Sequence, residues 1–226
     1  MALLIPFSII LSYLPIYYWI KFFLEFDKEK PEPFYWLSIL FLSGIASAPF
    51  VYYSQNIFKG NENLILLIGS ALEEFFKLII PLLILKKNRY FDEAIDGMVY
   101  FIMFGLGFAF VENIGVVFKE LVLENNFSSA VSYLFFRFLG ANLFHALSSA
   151  ILGYFFIQYL IKRKRVLLLK GLSFSIIFHW SFNFLILNFS FLTFLITLII
   201  FSLTIGLILK YSKILKNIRQ PIKHSF

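Results

Sequence analysis

The chain has 226 residues, of which 60% are hydrophobic and 21% aromatic, and its formal net charge is +7. Because a soluble domain is only about 45–50% apolar, this composition predicts an integral membrane protein. The absence of cysteine excludes disulfides, thiol nucleophiles and cysteine-ligated metals. The positive charge does not indicate a nucleic-acid partner, because the Lys and Arg residues lie in short clusters between apolar runs, an arrangement that suits a lipid bilayer.

The apolar runs themselves predict the fold. Each is close to the length of roughly 20 residues that spans a bilayer as a helix, and none shows the alternating pattern of about ten residues typical of barrel strands. The runs cover residues 2–24, 34–54, 64–85, 94–118, 129–160, 167–187 and 190–210. We therefore predict an all-α, polytopic membrane bundle of about seven transmembrane helices, forming one domain over residues 1–212 and followed by a basic cytoplasmic tail over 213–226.

The distribution of basic residues predicts the orientation of this bundle. Lys and Arg concentrate in alternate connections and in the tail, and the cytoplasmic side of a membrane protein carries that excess. The prediction is a multi-pass protein of the plasma (inner) membrane with its N-terminus outside and its C-terminus in the cytoplasm. The residues concerned are Lys21, Lys28, Lys30, Lys86, Lys87, Arg89, Lys162, Arg163, Lys164, Arg165, Lys210, Lys213, Lys216, Arg219 and Lys223.

The third run contains charges near its centre, at Glu73, Glu74 and Lys77. A charge at the bilayer centre costs about 2.5–3.5 kcal/mol on insertion scales, so such residues are functional-site candidates. Glu73 and Lys77 are four residues apart and share a helix face, whereas Glu74 points about 100° away. We expect a Glu73–Lys77 ion pair that leaves Glu74 free. A purely structural alternative is an ion pair that only holds helices together.

The fourth and fifth runs add further polar residues. Glu112 and Asn113 lie slightly outward of the membrane centre, and Arg137 on the next run is the predicted counter-ion of Glu112. Gly105, with neighbouring small residues, predicts close packing against another helix. Asp96 lies near the cytoplasmic interface, where it is either an ordinary helix-start acid or a site residue.

Histidines on the later runs complete the set. His145 lies near the centre of the fifth run, and His179 lies four residues before Asn183 on the sixth, so that the latter two share a face. Counting depth from the ends of the runs brings four helices to one layer. The residues at or near that layer are Glu73, Glu74, Glu112, His145, His179 and Asn183.

These residue types favour activation of water. A carboxylate can act as general base while a histidine orients the water or protonates the leaving amine. Alternatively, Glu112, His145 and His179 provide the three ligands of an open catalytic site for a divalent metal, zinc by ligand type, with a second glutamate as base. The sequence has no H-E-x-x-H metalloprotease motif. Asn183 is a candidate donor to the oxyanion of a tetrahedral intermediate.

The ordered motifs resemble those of the PrsW family of intramembrane proteases over residues 64–185. They are Glu73-Glu-Phe-Phe-Lys77, Asp96-Gly, Gly105-Leu-Gly-Phe-Ala-Phe-Val-Glu112-Asn113, His145 and His179. His179-Trp-Ser-Phe-Asn183 is also similar to the H-x-x-x-N motif of the distantly related CAAX prenyl endopeptidase and bacteriocin-immunity proteins. Their F-x-x-x-H motif is not met, because position 141 is Ala.

The resemblance implies a metal-dependent protease that makes a first, site-1-type cut in a membrane-anchored protein such as an anti-sigma factor. It implies catalytic roles for Glu73, Glu74, Glu112, His145 and His179, supported by Lys77, Asp96, Asn113 and Asn183. From the residues alone, Glu74 is the preferred base and Arg137 a supporting residue. The alternatives are a metal-free glutamate peptidase, a proton-coupled transporter, and a non-catalytic immunity or scaffold protein. Substrate identity and oligomeric state are not determined by the sequence.

Overall fold

A computed structural model describes residues 4–55, 57–86, 88 and 90–218. Eight α-helices and no β-strand are found within these residues. Lys87, Arg89, Arg219 and Lys223, which contributed to the predicted orientation, lie outside them, as does the tail from 219 to 226. The helices are α1 (Leu4–Leu24), α2 (Phe34–Gln55), α3 (Glu62–Leu85), α4 (Ala94–Phe118), α5 (Phe127–Arg137), α6 (Leu143–Lys162), α7 (Val166–Leu187) and α8 (Phe191–Lys216).

Local signals account for the helix boundaries. The Asn61 side chain caps α3 by accepting a hydrogen bond from the Leu64 amide at 2.8 Å. Ser190 and Thr193 form a capping box that starts α8. The short connection between α7 and α8, residues 188–190, therefore lies where the sequence predicted it.

Helices α5 and α6 are continuous. A π-helical turn, Phe138–Asn142, joins them without a break, so residues 127–162 form one rod of 36 residues. The Trp19 indole donates a hydrogen bond to the Phe138 carbonyl oxygen at 2.8 Å, which satisfies a backbone group in this turn. The rod corresponds to the fifth predicted span.

The predicted polytopic helical bundle is confirmed. Among the described residues, six helical segments are long and apolar enough to cross a membrane. α3 has 24 residues and therefore a similar length, but it carries Glu73, Glu74 and Lys77. These charges lower its apolar character without changing its place in the bundle.

Helix α4 is the centre of the bundle. Every residue from 94 to 110 is buried, and the helix packs most extensively against α2 and α6. Gly105 makes the approach to α6 possible, because a Cβ at this position would overlap Ser149 Oγ and lie 2.8 Å from the His145 carbonyl oxygen. The predicted packing role of Gly105 is confirmed, and the contact places α6 beside α4 at His145.

Candidate active site

A chain of polar contacts crosses the bundle near its centre. Lys77 Nζ lies 2.7 Å from Glu74 Oε1 and 2.7 Å from His145 Nδ1. His145 Nε2 lies 3.0 Å from Glu112 Oε2, and Arg137 donates to the same oxygen at 2.7 Å. Helices α3, α4, α5 and α6, which correspond to the third, fourth and fifth predicted runs, are thus joined by one network.

The ion pair at the start of this network differs from the predicted one. Lys77 pairs with Glu74, three residues earlier, and both side chains are fully buried. The prediction that Lys77 pairs with Glu73 and leaves Glu74 free is therefore wrong. The spacings i,i+3 and i,i+4 are both within reach on a helix. His145 decides between them, because it also contacts the lysine.

Glu73, which was expected to pair with Lys77, is instead the glutamate that does not pair with it. Its Oε1 accepts a hydrogen bond from Gln55 at 3.0 Å, and its Oε2 lies 3.6 Å from His179 Nε2. Oε2 is buried and has no hydrogen-bond partner among the described residues. Glu74 Oε2 is likewise buried without a hydrogen-bond partner among these residues, so the two carboxylates differ in that Glu74 is paired with the Lys77 ammonium group and Glu73 is not.

His179 bridges the two adjacent glutamates. Its Nδ1 lies 2.8 Å from Glu74 Oε1, so this nitrogen donates to the carboxylate and Nε2 keeps its lone pair. A histidine whose orientation is fixed by a carboxylate in this way is suited to bind a metal or to accept a proton. Glu74, held by both Lys77 and His179, orients its neighbours.

Arg137 is confirmed as the counter-ion of Glu112. Its Nε also donates to Asn113 Oδ1 at 2.6 Å, and the Asn113 amide donates to the Ser12 carbonyl oxygen at 3.3 Å. The Glu112 side chain is 31% exposed, more than any other member of the network. The network therefore reaches the surface of the bundle at Glu112, in the half of α4 nearer the α4–α5 connection.

Two predicted supporting residues lie away from the network. Asn183 donates to Ser70 Oγ at 3.4 Å, one turn from the carboxylates, and links α7 to α3. Asp96 accepts hydrogen bonds from the Asp92 and Glu93 amides at the start of α4. It lies sixteen residues before Glu112 on the same helix, about 24 Å away at the helical rise. The structure thus places Asp96 in a different part of the molecule.

Gln55 belongs to the site although the sequence analysis did not single it out. It is the last residue of α2, and its amide donates both to Glu73 and to the Gly69 carbonyl oxygen, at 3.3 Å in the second case. The available signal was an amide at the end of an apolar run. Such a residue is also common in loops, so the sequence does not distinguish a site residue from an ordinary loop residue at position 55.

The carboxylates and histidines also suggest a metal site. Glu73, Glu112 and His145 each offer a ligand atom, and these atoms lie within 4.8 Å of one another. The predicted set was Glu112, His145 and His179. In the structure, the three residues with ligand atoms close together include Glu73 in place of His179. His179 lies next to this group, because its Nε2 is 3.6 Å from Glu73 Oε2. Imidazole and carboxylate are both zinc ligands, and Glu73 Oε2 is a buried oxygen available for one, so these residues fit a divalent ion.

Comparison with known proteins identifies the family. A family model described as "PrsW family intramembrane metalloprotease" matches residues 32–208. A relative named "Protease PrsW" from Clostridioides difficile is 25% identical over 186 residues, which cover 75% of this chain and 74% of the relative. Relatives of the same name from Geobacillus kaustophilus and Oceanobacillus iheyensis are 27% and 33% identical and cover 74% and 57% of this chain, and 74% and 56% of their own lengths. No solved structure gives a significant match.

The family model spans most of the chain and includes every residue of the network except Ser12, which contributes only its carbonyl group. The protein therefore belongs to the PrsW family of intramembrane proteases.

Proposed function

We propose that this protein is an intramembrane endopeptidase that hydrolyses a peptide bond of a membrane-anchored substrate with water activated by Glu73. The observation that carries the proposal is the Glu73 carboxylate, which has no ammonium or guanidinium partner in the part of the chain that the structure describes. Its Oε2 is buried, lacks a hydrogen-bond partner among the described residues and lies 3.6 Å from His179 Nε2, and one of its oxygens lies within 4.8 Å of ligand atoms of Glu112 and His145. Glu74 Oε2 is also unpartnered, but Glu74 is less suited as the base, because the Lys77 ammonium group and His179 stabilise its charged form and make it a weaker proton acceptor.

The residues divide the work of hydrolysis. Glu73 takes a proton from water as that water attacks the scissile carbonyl carbon, and His179 Nε2, 3.6 Å from Glu73, is placed to pass the proton to the leaving amine. Lys77 and Arg137 hold positive charge on either side of His145 and Glu112, where it favours the oxyanion of the tetrahedral intermediate. Gln55 keeps Glu73 in position.

A divalent ion would be held by Glu73, Glu112 and His145, with zinc as the first choice by ligand type. Such an ion acts as a Lewis acid on the scissile carbonyl and activates water. With an ion bound, Glu73 would be one of its ligands, and His179 beside it would remain available for proton transfer.

The metal-free form of the same reaction is the second candidate, and the Lys77–His145 contact favours it. An ammonium group can only donate, so His145 Nδ1 accepts from Lys77 and Nε2 carries the proton donated to Glu112. In this state the contacts among Lys77, His145, Glu112 and Arg137 are satisfied by the protein alone. A metal on His145 Nε2 would have to replace that proton.

The orientation predicted from the basic residues gives the side of cleavage. Glu112, the most exposed member of the network, lies in the half of α4 nearer the α4–α5 connection, which is poor in basic residues and is predicted to lie outside the cytoplasm. This supports a first cut on the outer side of an anchored substrate, either outside the membrane or in the outer half of the bilayer. The family resemblance implies a substrate of the anti-sigma-factor kind. The lipid bilayer is the second partner.

The test compares Glu73→Gln, Glu74→Gln and, as a matched control on the same helix, Glu62→Gln in the exposed first turn of α3. The assay measures cleavage of a single-span reporter protein in proteoliposomes. We expect Glu73→Gln to lower the cleavage rate by about 10²–10⁴-fold while the protein remains folded, and Glu62→Gln to match the wild type. A Glu73→Gln variant with wild-type activity would remove Glu73 as the base.

Elemental analysis separates the two forms of the mechanism. Stoichiometric zinc in the purified wild-type protein, lost in Glu112→Gln and required for cleavage after chelation, supports the metal-dependent form. Cleavage that continues undiminished after the metal has been removed supports the metal-free form.

A further inference from the structure

A second group of acidic residues lies at the other end of the bundle. Asp27 ends the helical turn after α1, Glu32 lies in the α1–α2 connection, and Asp96 lies in the first turn of α4. Their carboxylates each place an oxygen within 4.8 Å of the others, and the residues are only 4%, 9% and 0% exposed. We call Asp27, Glu32 and Asp96 the acidic triad.

Local hydrogen bonds hold the triad in place but do not neutralise it. Asp27 Oδ2 accepts from the Glu32 amide at 3.1 Å, and the Tyr100 hydroxyl donates to Glu32 Oε2. Amide and phenol groups bring no full positive charge. Burial raises the pKa of Glu32 above its ordinary value of 4.5, as expected for a carboxyl group without a nearby compensating cation.

Asp96 provides independent evidence for a ligand. Its Oδ2 accepts both backbone amides at the start of α4, at 3.1 and 2.7 Å. Its Oδ1 is buried and meets no N–H donor in the described part of the chain, and the side chain next to Asp96 is the Glu32 carboxyl group, which is another acid. An unpartnered buried carboxylate oxygen is costly, so this atom requires a donor or a cation.

The basic side chains that the structure describes around the acidic triad do not pair with it. They either pair with other acids or lie farther from the triad. Lys30 pairs with Asp92 at 2.5 Å and lies 3.9 Å from Glu93, outside the triad. Among the residues that the structure describes, no Lys or Arg nitrogen comes within 4.0 Å of a triad carboxylate. Lys216 acts on Asp27 only through a longer-range charge interaction.

A cavity adjoins the triad at Asp27. Its volume is about 420 Å³, and its lining includes Asp27, Glu29, Asp92, Glu93 and Lys216. The space admits water and a hydrated ion to the side of Asp27. Three carboxylates with room for several waters are the surroundings that hard cations prefer.

We propose that the acidic triad binds a hard divalent cation, Ca²⁺ or Mg²⁺, which ties the α1–α2 connection to the start of α4. Ligand oxygens around one ion lie at most about 4.6–5.2 Å apart for Ca²⁺ and about 4.0–4.2 Å apart for Mg²⁺. The triad oxygens, all within 4.8 Å of one another, are therefore close enough to share Ca²⁺, whereas Mg²⁺ requires them within the shorter limit. Waters from the cavity complete the coordination. The bound ion replaces mutual repulsion of the carboxylates by attraction and stabilises the folded protein.

The test measures thermal unfolding of the full chain in nanodiscs after chelation and buffer exchange, with CaCl₂ or MgCl₂ titrated separately. Intrinsic fluorescence of the three tryptophans reports unfolding. We expect a saturable rise in the midpoint of about 3–6 °C at ten times the dissociation constant of the preferred ion. The two titrations distinguish Ca²⁺ from Mg²⁺ by the concentration at half-saturation.

Variants assign the effect to the triad. Asp27→Asn and Asp96→Asn should abolish the midpoint shift, whereas Glu25→Gln, an exposed acid in the same turn as Asp27, should retain it. Glu73→Gln should also retain it, which separates this site from the active site. Absence of a saturable shift in the wild type, or an unchanged shift in both triad variants, overturns the proposal.

Direct binding to the wild type avoids any dependence on how well the triad variants fold. Mn²⁺ bound to the protein is counted by electron paramagnetic resonance, and CaCl₂ or MgCl₂ is added as competitor. One Mn²⁺ that is displaced by either ion, and that remains in Glu73→Gln, supports the triad site. No bound Mn²⁺ in the Glu73→Gln protein contradicts it.

Discussion

Replacing Lys77 by methionine tests the buried network most directly. Lys77 and Glu74 are both fully buried with 2.7 Å between Nζ and Oε1, and methionine preserves most of the side-chain volume beside Phe108. The substitution leaves the Glu74 charge buried with His179 as its remaining polar partner. Removing one member of a buried ion pair typically costs about 3–5 kcal/mol, so we expect the free energy of unfolding to fall by that amount.

A double variant separates the ion pair from simple loss of packing. Glu74→Gln combined with Lys77→Met removes both charges and keeps an acceptor for His179. We expect the loss of unfolding free energy in the double variant to be smaller than the sum of the losses in the two single variants. The difference, which is the coupling energy, should be at least about 2 kcal/mol. The measurement is equilibrium unfolding of the purified variants in bicelles with a denaturing detergent.

Lys30→Met provides the matched control. It breaks the Lys30–Asp92 pair, in which the side chains are 55% and 46% exposed, and should cost less than about 1 kcal/mol. Equal losses for Lys77→Met and Lys30→Met, or additive effects in the double variant, would refute the view that buried charge pairing holds the site together.

Two further substitutions test how the neighbouring helices position the site. Gly105→Ala should lower the free energy of unfolding by about 1–3 kcal/mol and slow cleavage, because the new Cβ overlaps Ser149 Oγ and presses on the His145 backbone. Gly115→Ala on the same helix is its control, since a Cβ there meets nothing within 4 Å, and similar behaviour of the two variants would contradict the packing role. Arg137→Lys should slow cleavage about 10–100-fold, because lysine keeps the charge but cannot reproduce the two separate hydrogen bonds to Glu112 and Asn113. Unchanged cleavage rates in proteoliposomes would show that only the charge of Arg137 is needed.

The sequence by itself determined the helices and the depth of the polar residues. Apolar runs separated by capping residues placed α4 at the residues where it is found, 94–118. Because each helical residue advances about 1.5 Å, counting from the ends of the runs brought Glu74, Glu112, His145 and His179 to nearly one level. Only one basic side chain on the facing helix, Arg137, was available at the depth of Glu112, so that pairing was also predictable.

The tertiary structure decided which neighbours each polar group has. A lysine can reach a glutamate three or four residues earlier on its own helix, and only the position of His145 on α6 directs Lys77 to Glu74. Gln55 approaches Glu73 because α2 packs against α3, and the acidic triad forms because the α1–α2 connection folds over the start of α4. These contacts depend on how helices distant in sequence are arranged, which periodicity along a single helix does not specify. The same arrangement pairs Lys77 with Glu74 and leaves Glu73 to Gln55 and His179.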